Sequence, residues 1–200
     1  MSLLRKLAIV FAVILAAAGG FYYFYWMRTP AYAAGEIQQA VSRRDFQLFQ
    51  ERVDLPKVYS YAIDDLAEEA RLSDQRDHRI AAGLMKALKK PLIEEMIRQT
   101  KLAFEADANR KEDPSPLSAI TRSAEAYVGS AALSLTDIFE VKEENGKATA
   151  SVRLHDKNLK KDFTWKVLLE KDVNGNWTAT RILNLKEYLA ERKQTILEKK

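Results

Sequence analysis

Apolar and polar residues follow two different periods along the chain, and the change of period divides it into two halves. In the first half, apolar residues recur every three or four positions, which is the spacing of one helix face. From Phe139 onward the period shortens to two, which is the spacing of one strand face. Helices first and strands afterwards predict an α+β fold, with helices packed on one face of a four-stranded antiparallel meander.

Two aspartates give the helical half its clearest helix starts. Asp45 and Asp54 each precede a run with helical spacing, where a carboxylate can accept hydrogen bonds from the free N–H groups of the first turn. Pro56 fits the first turn behind Asp54, because a proline there gives up no helical hydrogen bond. We therefore predict one helix that begins after Asp45 and another that begins after Asp54.

Further signals mark the remaining helices. Ser73-Asp74 predicts a helix start, and Pro91 predicts a kink or a break at Lys89–Lys90, because an interior proline removes a hydrogen bond. After a polar loop at 109–115, another helix is expected from Ser115-Pro116 to Gly129.

The first two turns of the strand half predict a register. Asn145-Gly146 is a strong signal for a two-residue hairpin, and it sets Val141 opposite Ala150 and Phe139 opposite Val152. The apolar residues of both strands then lie on one face. A second turn near 157–158 adds a third strand. The expected apolar pairs are Leu154 with Phe163, Val152 with Trp165, and Ala150 with Val167.

The last turn, Asn174-Gly175-Asn176, leaves two registers open. A three-residue loop would pair Val173 with Trp177 and place Arg181 on the apolar face beside Leu169. A two-residue loop or a bulge would instead turn Arg181 outward. The sequence alone does not choose between these registers.

The N-terminal segment has the composition of a membrane anchor. No charged residue occurs from Leu7 to Met27, and a helix of that length can cross a hydrocarbon core of about 30 Å. Arg5 and Lys6 precede the segment, so the positive-inside rule places the N-terminus in the cytoplasm. The run of aromatic residues at 21–26 suits the membrane–water boundary.

A cleavable signal peptide is the alternative interpretation of this segment. Leu7–Leu15 could be its apolar region, with cleavage after Ala16-Ala17-Ala18, and Ala31-Tyr32-Ala33 offers a second small-residue site. A retained anchor is favoured because the apolar stretch continues well beyond Ala18 without a polar region. Both interpretations export the rest of the chain.

These observations predict a simple domain organisation. Residues 1–28 form the anchor, and residues 29–200 form a single extracytoplasmic domain joined to it by a short joint at Thr29–Ala34. The domain divides into a helical part at 33–130, a sheet at 135–185 and a terminal helix at 186–200. The expected location is the inner membrane, crossed once, with the domain in the periplasm.

Composition limits the chemistry that this chain can offer. It has no cysteine and only two histidines, which argues against disulfides, thiolate sites and imidazole-rich metal sites. The formal charge is +4, but residues 1–28 carry three bases and no acid, so 29 bases and 28 acids remain in the rest. A nearly neutral domain lacks the positive field that nucleic-acid binding requires. No cofactor and no nucleic-acid partner are expected.

One stretch of the chain resembles a known family. After the anchor come Thr29-Pro30-Ala31-Tyr32, Ile37, Ala40-Val41, Asp45, Phe49, Val53-Asp54 and Val58. This pattern over about residues 20–60 is similar to an uncharacterised bacterial family of small membrane-anchored proteins, a domain of unknown function. Its members have an aromatic-rich anchor, a Pro-aromatic-Ala joint and a helix that ends in Val-Asp. More loosely, the layout resembles the nuclear-transport-factor-2-like superfold. The resemblance implies location and architecture only.

Catalytic motifs are not found, and one residue group stands out as a candidate site. Trp165, Trp177 and Arg181 could line an apolar pocket with one cationic anchor for an acidic ligand, although tryptophans at strand spacing are more typical of a core. Asp64-Asp65 and Glu68-Glu69 share one helix face, and a solvated surface is the favoured interpretation of that acidic cluster.

The sequence therefore favours a non-enzymatic, membrane-tethered domain that binds a protein partner of the cell envelope and contacts the lipid bilayer through its N-terminal helix. A small-ligand sensor or carrier, with a pocket between sheet and helices, is the alternative. A hydrolase that uses paired carboxylates is a third hypothesis.

Overall fold

The computed structural model describes residues 3–72, 76–105, 128 and 133–198. In these ranges the helices are α1 (Leu3–Trp26), α2 (Pro30–Arg43), α3 (Phe46–Arg52), α4 (Leu55–Arg71), α5 (Arg76–Ala87), α6 (Lys89–Glu105) and α7 (Leu185–Glu198). The strands are β1 (Leu133–Glu144), β2 (Lys147–Asp156), β3 (Lys161–Lys171) and β4 (Trp177–Ile182). They form one open antiparallel sheet in the order β1-β2-β3-β4, so the predicted α+β meander is confirmed.

The two helix starts predicted at aspartates are confirmed. Oδ1 of Asp45 accepts a hydrogen bond from the backbone N–H of Leu48 at 3.0 Å, and Oδ1 of Asp54 accepts one from Lys57 at 3.1 Å. Leu88 separates α5 from α6, so a break ahead of Pro91 is present, one residue before the predicted Lys89–Lys90. The Ser73-Asp74 start, the loop at 109–115 and the helix predicted to end at Gly129 lie outside the described residues.

The N-terminal helix α1 is long and apolar enough to span a membrane. Eighteen of its residues, Ile9–Trp26, have a mean hydropathy of 1.7, and none of that stretch is buried against the rest of the described structure. A bilayer provides the apolar surroundings that such a surface requires.

The joint between α1 and α2 is shorter than predicted. Only Met27–Thr29 separate the two helices, because Pro30 already begins α2. Oγ1 of Thr29 accepts a hydrogen bond from the N–H of Tyr32 at 3.2 Å and donates one to the carbonyl of Trp26 at 2.8 Å. Threonine at the cap and proline in the first turn make residues 30–34 helical, so most of the predicted joint at Thr29–Ala34 belongs to α2.

Bulges alter the register of β1 and leave the centre of the sheet as predicted. Val141 faces Ala150 as expected, but Ile138 takes the place of Phe139 opposite Val152. A register shift between Ile138 and Glu140 leaves Phe139 on the open side, 47% exposed. One extra residue in a bulge exchanges the faces of its neighbours. The expected pairs of β2 with β3 are all present: Leu154–Phe163, Val152–Trp165 and Ala150–Val167.

The β3–β4 turn is longer than the three residues that one register required. The Asp172 N–H donates to the Asn176 carbonyl at 2.8 Å, which makes Asp172–Asn176 the turn and pairs Trp177 with Lys171. The pairing of Val173 with Trp177 is therefore wrong. A bulge at Leu168/Leu169 then sets Arg181 opposite Leu168, which is the outward alternative.

The core lies on one face of the sheet and has three parts. Ala33 of α2 packs on the end of the sheet that holds Trp177. Leu66 of α4 and Tyr188 of α7 pack around Phe163. Around Val53, Leu55 and Ala179, the third part joins α3, α4 and α6 to β4.

A polar contact fastens α7 to the end of β2. Asp156 is fully buried at the end of β2, and its Oδ2 lies 3.3 Å from Nε of Arg192 on α7.

On β4, Val53 forms a parallel bridge to Ala179, and the Asp54 N–H donates to the Ala179 carbonyl at 2.9 Å. The α3–α4 connection thus occupies backbone groups of an edge strand that would otherwise invite pairing with another chain.

The confirmed pairing of Val152 with Trp165 makes a matched pair of substitutions informative. Val152→Asp should lower the free energy of unfolding by about 3–5 kcal/mol, because it places a carboxylate without a partner in the core. Thr164→Asp, on the exposed face opposite Arg153, should cost far less. Urea denaturation followed by circular dichroism measures both. Equal losses would contradict the register.

Candidate functional site

The three candidate residues occupy two separate places. Trp177 is 2% exposed and belongs to the cluster that contains Ala33, and Trp165 packs against the same cluster. Trp165 also meets the ring of Tyr188 edge-to-face at 5.5 Å. Arg181 points to the β4 edge instead. In the described residues the tryptophans therefore line the core, and the arginine lies apart from them.

Trp177 joins the sheet to the anchor. Its indole N–H donates to the backbone carbonyl of Arg28 at 3.0 Å, only two residues beyond the end of α1. Nζ of Lys171 lies 4.9 Å from the centre of the Trp177 ring, a cation–π contact on the same side chain. We call this contact between Trp177 and Arg28 the joint latch. It fixes the exit of α1 against the end of the sheet where β3 turns into β4.

Arg181 is held by α4. Its Nη2 lies 3.2 Å from Oδ1 of Asp65, and its guanidinium carbon lies 4.7 Å from the centre of the Tyr61 ring. The Asp65 side chain is 13% exposed, whereas that of Arg181 is 36% exposed. This partly buried pair fastens α4 to the sheet edge.

Two other members of the acidic cluster, Asp64 and Glu68, also pair with bases from different elements. Asp64 binds Lys89 of α6 at 2.7 Å, and Glu68 binds Lys186 of α7 at 2.6 Å. The hydrogen bond from Lys186 lowers the pKa of Glu68, and the same bond raises the pKa of Lys186. No group of three potential metal ligands occurs in the described part of the chain. The acidic face of α4 is thus a docking surface for neighbouring elements.

A groove lies next to the joint latch. Its volume is about 610 Å³, and it lies between the α3–α4 connection, α6 and the β3–β4 turn. The lining residues are Gln50, Glu51, Arg52, Val53, Asp54, Leu55, Pro56, Ile97, Asp172, Asn174, Asn176 and Thr178. Asn176 and Thr178 flank Trp177 in the sequence, so the groove and the latch share one end of the domain.

Carboxylates dominate the charge of the groove. Glu51, Asp54 and Asp172 contribute acids, and Arg52 is the one base in the lining. Nε of Arg52 lies 2.5 Å from Oε2 of Glu36, which lies outside the groove. The groove therefore presents negative charge beside hydrogen-bonding amides.

One wall of the groove is a turn held by hydrogen bonds to Asp172. Oδ1 of Asp172 accepts hydrogen bonds from the N–H groups of Asn174 and Asn176, at 2.9 and 2.8 Å. Burial of Asp172 works to raise its pKa, but the hydrogen bonds from Asn176 and Asn174 outweigh burial and lower that pKa. Asp172 is therefore ionised at neutral pH, and it holds Asn174 and Asn176 in place along the groove.

Sequence reasoning missed both the groove and the latch. The signals that were present are the Asp54 cap and the Asn174-Gly175-Asn176 turn, but each was interpreted only as local structure. Nothing in the local sequence connects them, because the groove forms where distant segments meet.

Comparison with known families gives a match over part of the chain. A family model described as a protein of unknown function (DUF2939) matches residues 14–103. This match supports the resemblance to an uncharacterised family and contains the stretch on which that resemblance was based. Neither a curated protein nor a solved structure matches the chain.

The joint latch predicts different outcomes for two Trp→Phe substitutions. Trp177→Phe removes the donor to Arg28, whereas Trp165→Phe removes a buried indole N–H that has no acceptor among the described residues. We expect the free energy of unfolding to fall by about 1–2 kcal/mol more for Trp177→Phe. Denaturation of the full chain in detergent micelles measures both. A larger loss for Trp165→Phe would show that ring packing outweighs the hydrogen bond.

The pair of Arg181 with Asp65 gives a further prediction. Arg181→Met keeps the length of the side chain but strands a largely buried carboxylate, so the free energy of unfolding should fall by about 1–2 kcal/mol. Lys186→Met breaks an exposed pair and should change stability little. Thermal melts compare the two variants. Unchanged stability of Arg181→Met would mean that the pair contributes nothing to holding α4.

Proposed function

We propose that this protein is a single-pass, membrane-tethered domain that binds a protein partner of the cell envelope in the groove beside its anchor. Residues 1–28 form the anchor in this proposal, and residues 29–200 form one extracytoplasmic domain. Arg5 and Lys6 before the apolar stretch support a cytoplasmic N-terminus and a periplasmic domain. The function is binding, and no catalytic step is part of it.

The observation that carries the proposal is the joint latch. The indole of Trp177 donates a hydrogen bond to the carbonyl of Arg28, and Thr29 caps α2. Only three residues separate the membrane-length helix from the folded domain. A joint this short does not act as a flexible linker, which needs many Gly- or Ser-rich residues. The groove, whose lining flanks Trp177, is therefore held at a fixed short distance from the end of α1.

Charge supports a basic segment as the part of the partner that enters the groove. The lining holds three acids, Glu51, Asp54 and Asp172, and one base, Arg52, which is paired with Glu36. Asp54 is itself paired with Lys57 at 3.0 Å, so the excess of negative charge rests mainly on Glu51 and Asp172. Complementary charge increases the rate and the specificity of association. The asparagine side chains of the turn, Asn174 and Asn176, offer amides that can hydrogen-bond to a peptide backbone. A peptide segment with lysine or arginine fits this groove best.

The absence of cysteine from the chain allows a clean test by single-cysteine labelling. Asn174→Cys places a thiol in the groove, and Lys157→Cys places one at the exposed turn at the other end of the sheet. In spheroplasts of a bacterial host, a membrane-impermeant maleimide should label both positions. A photo-cross-linking maleimide should then give a discrete protein adduct at Asn174→Cys and none at Lys157→Cys.

A charge reversal tests whether the groove causes the adduct. Glu51→Lys, made in the Asn174→Cys chain, should abolish it, because the added cation repels a basic segment. Glu143→Lys, on exposed β1 outside the groove, is the matched control and should leave the adduct intact. Labelling only after lysis would refute the topology. Identical adducts at both cysteines, or an adduct insensitive to Glu51→Lys, would refute the binding site.

A further inference from the structure

A fully exposed valine lies at the tip of the β3–β4 turn. Val173 is 100% exposed, and the turn that carries it is fixed by hydrogen bonds to Asp172 from Asn174 and Asn176. Gly175, with φ of 81°, supplies the left-handed residue that closes this turn. Scattered exposed apolar residues are common on protein surfaces, so exposure alone would carry no conclusion. The position of Val173 relative to the anchor is what gives it meaning.

The turn lies at the end of the sheet from which α1 leaves. Trp177 begins β4 directly after the turn, and its indole is hydrogen-bonded to Arg28. From this end, the eleven residues of β3 extend over about 35 Å to the β2–β3 turn. The sheet therefore has one end beside the exit of α1 and another end far from it.

The side chains around Val173 suit the headgroup layer of a bilayer. Lys171 and Arg28 are both exposed beside the latch, where cations can meet lipid phosphates. Asp172, the acid next to Val173, keeps its charge but accepts hydrogen bonds inside the turn, and the two exposed cations outnumber it. On α1, the aromatic run ends at Trp26, only two residues before Arg28, which places the membrane boundary close by.

We propose that the β3–β4 turn rests on the bilayer, with Val173 inserted among the lipid headgroups. This inference rests on the proposed function only for the anchor, not for the partner or the groove. The contact makes a second point of attachment beside α1. With two points of attachment, the domain has a defined tilt on the membrane, and the groove has a defined direction of opening.

The test uses the full chain in vesicles of phosphatidylcholine and phosphatidylglycerol that contain brominated lipid as a quencher. An environment-sensitive fluorophore is attached to three single-cysteine variants: Val173→Cys, Tyr25→Cys in the exposed aromatic run of α1, and Lys157→Cys at the distant turn. We expect quenching at positions 25 and 173 and none at position 157. Quenching at 25 with none at 173 overturns the lipid contact and leaves the anchor intact. No quenching at 25 overturns the anchor and the contact together.

A second pair of chains tests the role of Val173 with the label attached to a different residue. The fluorophore is moved to Asn174→Cys, with either the native Val173 or Val173→Asp in the same chain. We expect quenching with the native valine and a clear loss of it with aspartate, because a carboxylate is repelled by anionic lipid and resists insertion. Equal quenching in both chains would overturn the role of Val173.

Discussion

Nearly all the apolar side chains of the sheet lie on one face, and the need to remove that face from water determines where the helices pack. Ala33 of α2, Leu66 of α4 and Tyr188 of α7 each bury part of it. Burial raises the pKa of the Tyr188 phenol to about 12, because the charged phenolate is disfavoured away from water. Since apolar burial has no preferred direction, it selects the face but not the positions of the helices on it.

Ion pairs and hydrogen bonds fix where each helix lies on the sheet, which apolar burial alone does not determine. Acidic residues of α4 each bind a base on a different element. These pairs fix the position of α4 relative to α6, β4 and α7. The pairs are Asp64–Lys89, Asp65–Arg181 and Glu68–Lys186. A directional contact adds little free energy when it is exposed, but it excludes other arrangements of the same apolar surfaces. The acidic face of α4 is therefore part of the fold, although its composition could suggest a cation site.

Features that depend on neighbours in the sequence could be predicted, and features that depend on distant neighbours could not. The Asp45 and Asp54 caps and the β2–β3 register follow from residues close in the chain and from the strand period. The bulges at Ile138/Glu140 and Leu168/Leu169 shift a register by one residue. The apolar pattern does not fix them, because Ile138 and Phe139 are adjacent, as are Leu168 and Leu169, and either residue of each pair could face the core. For that reason the expected place of Phe139 was wrong, and Arg181 took the outward alternative. The pairing of Val173 with Trp177 was wrong because the β3–β4 turn is longer than three residues.

The candidate site was harder to predict than the fold because its parts are brought together by a contact between residues 149 positions apart. Trp177 could be recognised as a buried aromatic residue, but its acceptor at Arg28 is a backbone carbonyl, which every residue has. The Asp172 turn could be recognised as a turn, but its role as a groove wall depends on where α3 meets α4. Only the three-dimensional arrangement links these local features to one end of the domain.

The short joint also restricts which kinds of partner could bind in the proposed groove. With three residues between α1 and α2, the domain cannot search a large volume, as a domain on a long flexible linker does. A partner held in the same membrane would meet the groove at a high effective concentration, because both are confined to one thin layer. A soluble partner would gain no such advantage. The geometry therefore favours, within the proposed function, a membrane protein whose basic segment lies just outside the bilayer.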